Sequence, residues 1–124
     1  MDVPKIFESE YRFCLILWEN EPINSSELAR LCGNKLGWKK STTYTVIKRL
    51  AERGVLKNTN SVVTTLISKD EIQYSESHEV VEKTFGGSLP QFVAAFTRRH
   101  NLTPEEIAEI KRMIDKQEDP NEEQ

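Results

Sequence analysis

Residues 35–57, KLGWKKSTTYTVIKRLAERGVLK, hold seven Lys or Arg side chains (Lys35, Lys39, Lys40, Lys48, Arg49, Arg53, Lys57) against one acid, Glu52. The segment also has the punctuation of a short helix. Ser41, Thr42 and Thr43 stand at its start, Val46, Ile47 and Leu50 supply an apolar inner face, and Gly54 ends it. Such a helix is predicted over about 41–53. Its outward positions are Ser41, Thr42, Tyr44, Thr45, Lys48 and Arg49, with Lys39 and Lys40 just ahead of the first turn. Hydroxyls can donate or accept at base edges, a Thr methyl can meet a thymine methyl, and Lys or Arg can reach guanine or phosphate. Lys39 and Lys40 lie where a phosphate meets a helix N-terminus, so charge and dipole act together. The bland alternative is a solvated basic face on a protein-interaction module that touches no DNA directly.

Working outward, the flanking sequence decides between these. Residues 7–20 carry Tyr11, Leu15 and Trp18 at helical spacing, widened by Cys14 and Leu17, and Glu21-Pro22 ends that helix. Asn24-Ser25-Ser26-Glu27 resembles a capping box, opening a second helix with Leu28, Leu31 and Cys32 inward and Gly33 as its expected C-cap. After Gly54 come two β-prone runs, Val55-Leu56 and residues 61–67, around a turn expected at Asn58-Thr59-Asn60. Three helices followed by a hairpin make a winged helix-turn-helix.

The chain as a whole has 124 residues and a net charge of −3. Residues 1–68 carry ten basic and seven acidic side chains, net +3, and residues 69–124 carry seven and thirteen, net −6. Such asymmetry marks a polyanion-binding half beside one with another task. The expected organisation is a DNA-binding domain over 1–68, a helical dimerisation domain over 69–117 and a disordered tail over 118–124. Helices are predicted over 69–85, 88–99 and 104–117, the last with Thr103 as N-cap, Pro104 at N1 and Glu106 at N3. Their stripes, Val81, Phe85, Leu89, Phe92, Val93 and Phe96, then Ile107, Ile110, Met113 and Ile114, are more apolar than short separated helices can bury alone. Packing against the same helices of a second chain is the expected remedy; folding back on the first domain is the alternative. The fold class is therefore mainly α with a small β-hairpin.

Catalytic readings find little support. His78 and His100 stand in polar company, and neither belongs to a metal-holding or nucleophile-activating pattern. Cys14 and Cys32 sit in apolar helical patterns and are expected to be buried thiols. No enzyme activity, cofactor or metal is expected. No stretch approaches the roughly 20 apolar residues of a membrane span, and residues 1–13 lack the features of a secretory signal. The expected location is the cytoplasm.

With these residues in order, the chain resembles the penicillinase repressor (BlaI/MecI/CopY) family of winged-helix transcriptional regulators. The resemblance runs from about Ile6 to Lys116. It is carried by Glu10-Tyr11 with Leu17-Trp18, Glu27–Leu31, Trp38 with Thr42–Leu50, Arg53–Leu56, Phe85–Leu89 and Leu102–Ile107. It implies a bacterial homodimer that binds a palindromic operator and represses transcription, controlling a β-lactam resistance or related stress operon. It also implies relief by a membrane-bound metalloprotease sensor, which cuts the dimerisation region and so removes the avidity of two linked half-sites. The matching bond here is Ala95-Phe96, with Ala where the family typically has Asn, so cleavage and another route of relief both stay open. The tail has no cysteine of the kind that senses copper in one branch, and Asn58 to Ile67 carries no charge.

Overall fold

In the computed structural model, which describes residues 3–118, the element order is α1 (Glu8–Asn20), β1 (Ile23–Asn24), α2 (Ser25–Leu36), α3 (Lys40–Glu52), β2 (Leu56–Thr59), β3 (Val62–Thr65), α4 (Lys69–Phe85), α5 (Leu89–Thr97) and α6 (Pro104–Glu118). The three strands form an antiparallel sheet in the order β1-β3-β2. This is a winged helix-turn-helix followed by further helices, the fold class that the sequence implies. Glu118, expected to open a disordered tail, ends α6 instead, and the rest of that expected tail, 119–124, lies outside the described residues.

The chain separates into two compact units at His78, inside α4. The first unit thus runs past the composition change at Lys69, because Ile72 of α4 is buried in its core. That core gathers Phe13, Cys14 and Leu17 of α1, Leu28 and Cys32 of α2, Val46, Ile47 and Leu50 of α3, and Leu56 and Val63 of the sheet. Both cysteines are buried and free. Burial pushes the Cys14 thiol up to about 12 and raises that of Cys32, so both behave as small hydrophobes.

Several local details differ from the sequence reading. In α1 the buried stripe is Phe13, Cys14, Ile16 and Leu17, whereas Tyr11, Leu15 and Trp18 are only half-buried. The helix is rotated because Phe13 stacks on Trp38, with ring centroids 6.1 Å apart and planes within 4°. Gly33 does not end α2. The helix runs on to Leu36, which packs against the core, and Gly37 takes the left-handed conformation (φ 72°) and donates to the Gly33 carbonyl at 3.1 Å. The hairpin turn is Asn60-Ser61, both at positive φ (52° and 68°), as a two-residue turn matched to strand twist requires. Asn58 and Thr59 are strand residues opposite Val63 and Val62. The short strand β1 had no periodic signal to reveal it. It exists because Ile23 and Asn24 align with Val63 and Val62, and the Ser25 amide donates to the Ser61 carbonyl at 2.8 Å.

In the second unit, local rules hold closely. Gly86 and Gly87 both have positive φ and carry the chain from α4 to Ser88, whose side chain caps α5. Thr103 and Glu106 form the expected reciprocal box: Glu106 N–H donates to Thr103 Oγ1 at 3.0 Å, and Thr103 N–H donates to Glu106 Oε1 at 2.9 Å. The backbone hydrogen bond holds the Glu106 carboxyl below its ordinary value.

Candidate nucleic-acid interface

The turn that presents α3 is built from the inside. Phe13 fixes Trp38, the Trp38 amide donates back to the Cys32 carbonyl at 3.4 Å, and Lys39 follows as the N-cap of α3. No side chain caps that N-terminus. Its first amides therefore remain available to an anion, with Lys39 and Lys40 exposed beside them.

The inner face of α3 is Thr43, Val46, Ile47 and Leu50, all buried, and this leaves Ser41, Thr42, Tyr44, Thr45, Lys48 and Arg49 exposed on the other side. Thr45 Oγ1 donates to the Ser41 carbonyl at 2.9 Å. With its hydroxyl hydrogen committed to the helix, Thr45 offers a methyl group and lone pairs rather than a donor.

The charges divide into two kinds. Arg12, Arg30 and Lys83 are engaged by Glu8, Glu27 and Glu79. Lys39, Lys40, Lys48 and Lys57 have no ion-pair partner among the described residues. Arg53, one of the seven cations of residues 35–57, turns inward. It holds Glu10 through two hydrogen bonds, at 2.7 and 3.0 Å, donates to the Lys5 carbonyl, and lies 5.6 Å from the centre of the Phe7 ring. It is a structural cation. Lys57 belongs to β2, opposite Thr64, so it is a wing residue rather than an extension of α3. Composition could not distinguish these cases, because the partner of Arg53 lies far away in sequence.

The wing is held by its base. Glu21 accepts from the Thr65 amide at 2.7 Å and from its hydroxyl, and the Trp18 indole donates to the Ile67 carbonyl at 3.0 Å. These bonds fix the hairpin against α1.

A model of the penicillinase repressor family matches residues 6–116. The chain belongs to this family. Among its relatives is the penicillinase repressor of Bacillus licheniformis, 24% identical over 117 residues that cover 91% of each chain. The methicillin resistance regulatory protein MecI of Staphylococcus aureus is 23% identical over 116 residues, which cover 90% of this chain and 94% of MecI. An uncharacterised 16.5 kDa protein of Latilactobacillus sakei is 25% identical over 114 residues, 89% of this chain and 78% of its own. This member of the penicillinase repressor family is thus a transcriptional repressor by kinship, with bacterial relatives.

Within the repressor's second unit, the residues expected at a subunit interface fall into two groups. Val81, Phe85 and Phe92 are half-buried, with Phe92 edge-on to Phe85 at 5.5 Å. Leu89, Val93, Phe96, Ile107, Ile110, Met113 and Ile114 are exposed, and so is Val80 of α4. The Ala95-Phe96 bond lies within α5, in helical backbone. No helix is long and apolar enough to cross a membrane among the described residues.

Proposed function

We propose that this protein is a sequence-specific DNA-binding repressor that acts as a homodimer on a palindromic operator. Helix α3 enters the major groove, Lys39 and Lys40 contact phosphate beside its open N-terminus, and Ser41, Thr42, Tyr44, Thr45, Lys48 and Arg49 face the bases and the groove walls. The observation that carries this reading is the cluster of exposed cations, Lys39, Lys40, Lys48 and Arg49, on the face of α3 that its buried residues leave outside, none of them ion-paired among the described residues. The apolar faces of α5 and α6 support a homodimer, which gives the two half-sites of a palindrome one binding molecule. The names of the relatives support a resistance or related stress operon as the target.

No catalytic step and no cofactor enter this reading. Relief by a membrane-bound metalloprotease sensor at Ala95-Phe96 requires α5 to open locally first, since the bond sits in a helix. Sequencing the neighbouring genes tests whether such a sensor accompanies the repressor.

A gel-shift titration over a range of salt tests DNA binding. A repressor loses affinity steeply as salt rises, whereas a protein-interaction module gives no shift at any ionic strength. Lys40→Ala should weaken binding to operator and random duplex alike, and reduce the salt slope by about one phosphate contact. Tyr44→Ala or Thr45→Ala should instead alter operator preference by about 1–3 kcal/mol per changed base contact. Uniform losses in both kinds of variant would show that α3 binds DNA without reading it.

A further inference from the structure

Ser41, Thr45, Lys48 and Glu52 recur at i, i+4, i+7 and i+11 along α3, all exposed and opposite the buried face. Glu52 therefore lies on the same stripe as the residues proposed to meet bases. At 1.5 Å per residue the stripe extends about 16 Å, long enough for its members to face different base pairs.

Several carboxylates of the first unit are engaged, and Glu52 is not. Glu10 is held by Arg53, Glu21 by Thr65 and Glu27 by Arg30. Glu52 makes no hydrogen bond or ion pair among the described residues, although Lys48 stands one turn before it. The adjacent Arg53 is turned away to Glu10. An unpaired negative charge on a face that meets a polyanion lowers affinity unless something in the groove compensates it.

We propose that Glu52 is a specificity-determining residue, selecting cytosine or adenine over guanine or thymine on the strand that it faces, because only the first two present an exocyclic amino group in the major groove. This rests on the DNA-reading role of α3 proposed above. An ionised carboxylate only accepts hydrogen bonds. The amino groups of cytosine and adenine satisfy it, whereas guanine O6 and N7 or thymine O4 repel it. Glu52 thus discriminates by penalising the wrong pair as well as by favouring the right one. The plain alternative is a solvated residue at the end of a helix.

Competition gel shifts with the full chain and its Glu52→Gln variant, over every single-base change of the operator and a random duplex, test the proposal. Glutamine keeps the size of the side chain and adds donors. The expected result is that the penalty against guanine or thymine falls by about 5- to 150-fold at one position of each half-site, with other positions unchanged. A uniform rise in affinity for operator and random duplex would reduce Glu52 to a repulsive charge and overturn the proposal. Unchanged preference would overturn it as well. In either case steep, salt-dependent binding by the unaltered protein leaves the role of α3 standing. If the unaltered protein binds no duplex at any salt, the DNA-reading role fails, and Glu52 with it. Circular dichroism of the variant confirms that the exposed substitution leaves the fold intact.

Discussion

The two units contain helices written in the same apolar code, yet they treat their apolar residues differently. In the first, Phe13, Leu17, Leu28, Leu50 and Val63 have no exposed surface. In the second, Phe96, Met113 and Ile114 are exposed by 50%, 58% and 52%, and no residue of α5 is buried. Helical spacing tells which residues share a face, but burial needs an opposing layer. The first unit supplies that layer from α1, α2, α3 and the sheet. A single copy of the second unit does not, and on the homodimer reading the second chain provides it.

Disrupting the apolar face of α6 should give the largest effect. Ile110→Asp combined with Ile114→Asp places two charges where a partner helix would pack, at positions exposed in one chain. Sedimentation should then show a monomer, and operator affinity should fall by about 100- to 10,000-fold as the avidity of linked half-sites disappears. A variant that remains dimeric with full operator affinity would place the subunit interface elsewhere.

Stability should separate the units by a different signature. Leu17→Ala empties a fully buried site and should cost about 2–5 kcal/mol in the first unit. Both tryptophans, Trp18 and Trp38, lie in that unit, so urea denaturation followed by tryptophan fluorescence isolates its transition. That midpoint should not move with protein concentration. Loss of helix in the second unit, followed by circular dichroism, should shift to higher urea as concentration rises, because association stabilises it by mass action. Two midpoints that move together would mean that the units unfold as one.

The contrast also explains what could be read from sequence. Elements fixed by local rules were legible: the inner face of α3, the Thr103-Glu106 box and the turn at Gly86-Gly87 depend on residues within one or two turns of each other. Features fixed by distant partners were not. The rotation of α1 follows from Trp38, β1 exists only because β3 lies beside it, and Arg53 leaves the basic cluster because Glu10 waits on another helix. The end of α2 is a local competition that spacing alone does not settle. Two glycines, Gly33 and Gly37, could each have closed the helix, and the packing of Leu36 against the core favours the later one. For the candidate site, the exposed face of α3 was legible from its period, while which cations stay unpaired was not.

The smallest expected effect concerns the Glu10-Arg53 latch, an ion pair between distant parts of the first unit; the Lys83-Glu79 pair of the second joins adjacent turns of one helix. Burial raises the carboxyl of Glu10, but hydrogen bonds from Arg53 and from the Phe7 amide at 2.9 Å outweigh it, so its pKa is held below the ordinary value. Its contribution to stability is therefore full above the ordinary carboxylate range and is lost as pH falls through the lowered value. Arg53→Ala removes the cation and its hydrogen bonds, so less opposes the effect of burial and the pKa of Glu10 moves up. The side chain of Arg53 is about one-third exposed, at 32%, so solvent screening reduces the loss. The variant should be less stable by about 1–2 kcal/mol near neutrality, and the gap should close as pH falls below the ordinary carboxylate range in urea titrations. A gap that stays constant with pH would assign the effect to packing of Arg53 on Phe7 instead of charge. Because the latch ends at the residue after α3 and leaves Lys39, Lys40 and Lys48 exposed, operator affinity at neutral pH should stay near that of the unaltered protein. A marked loss would mean that the latch also sets the position of α3.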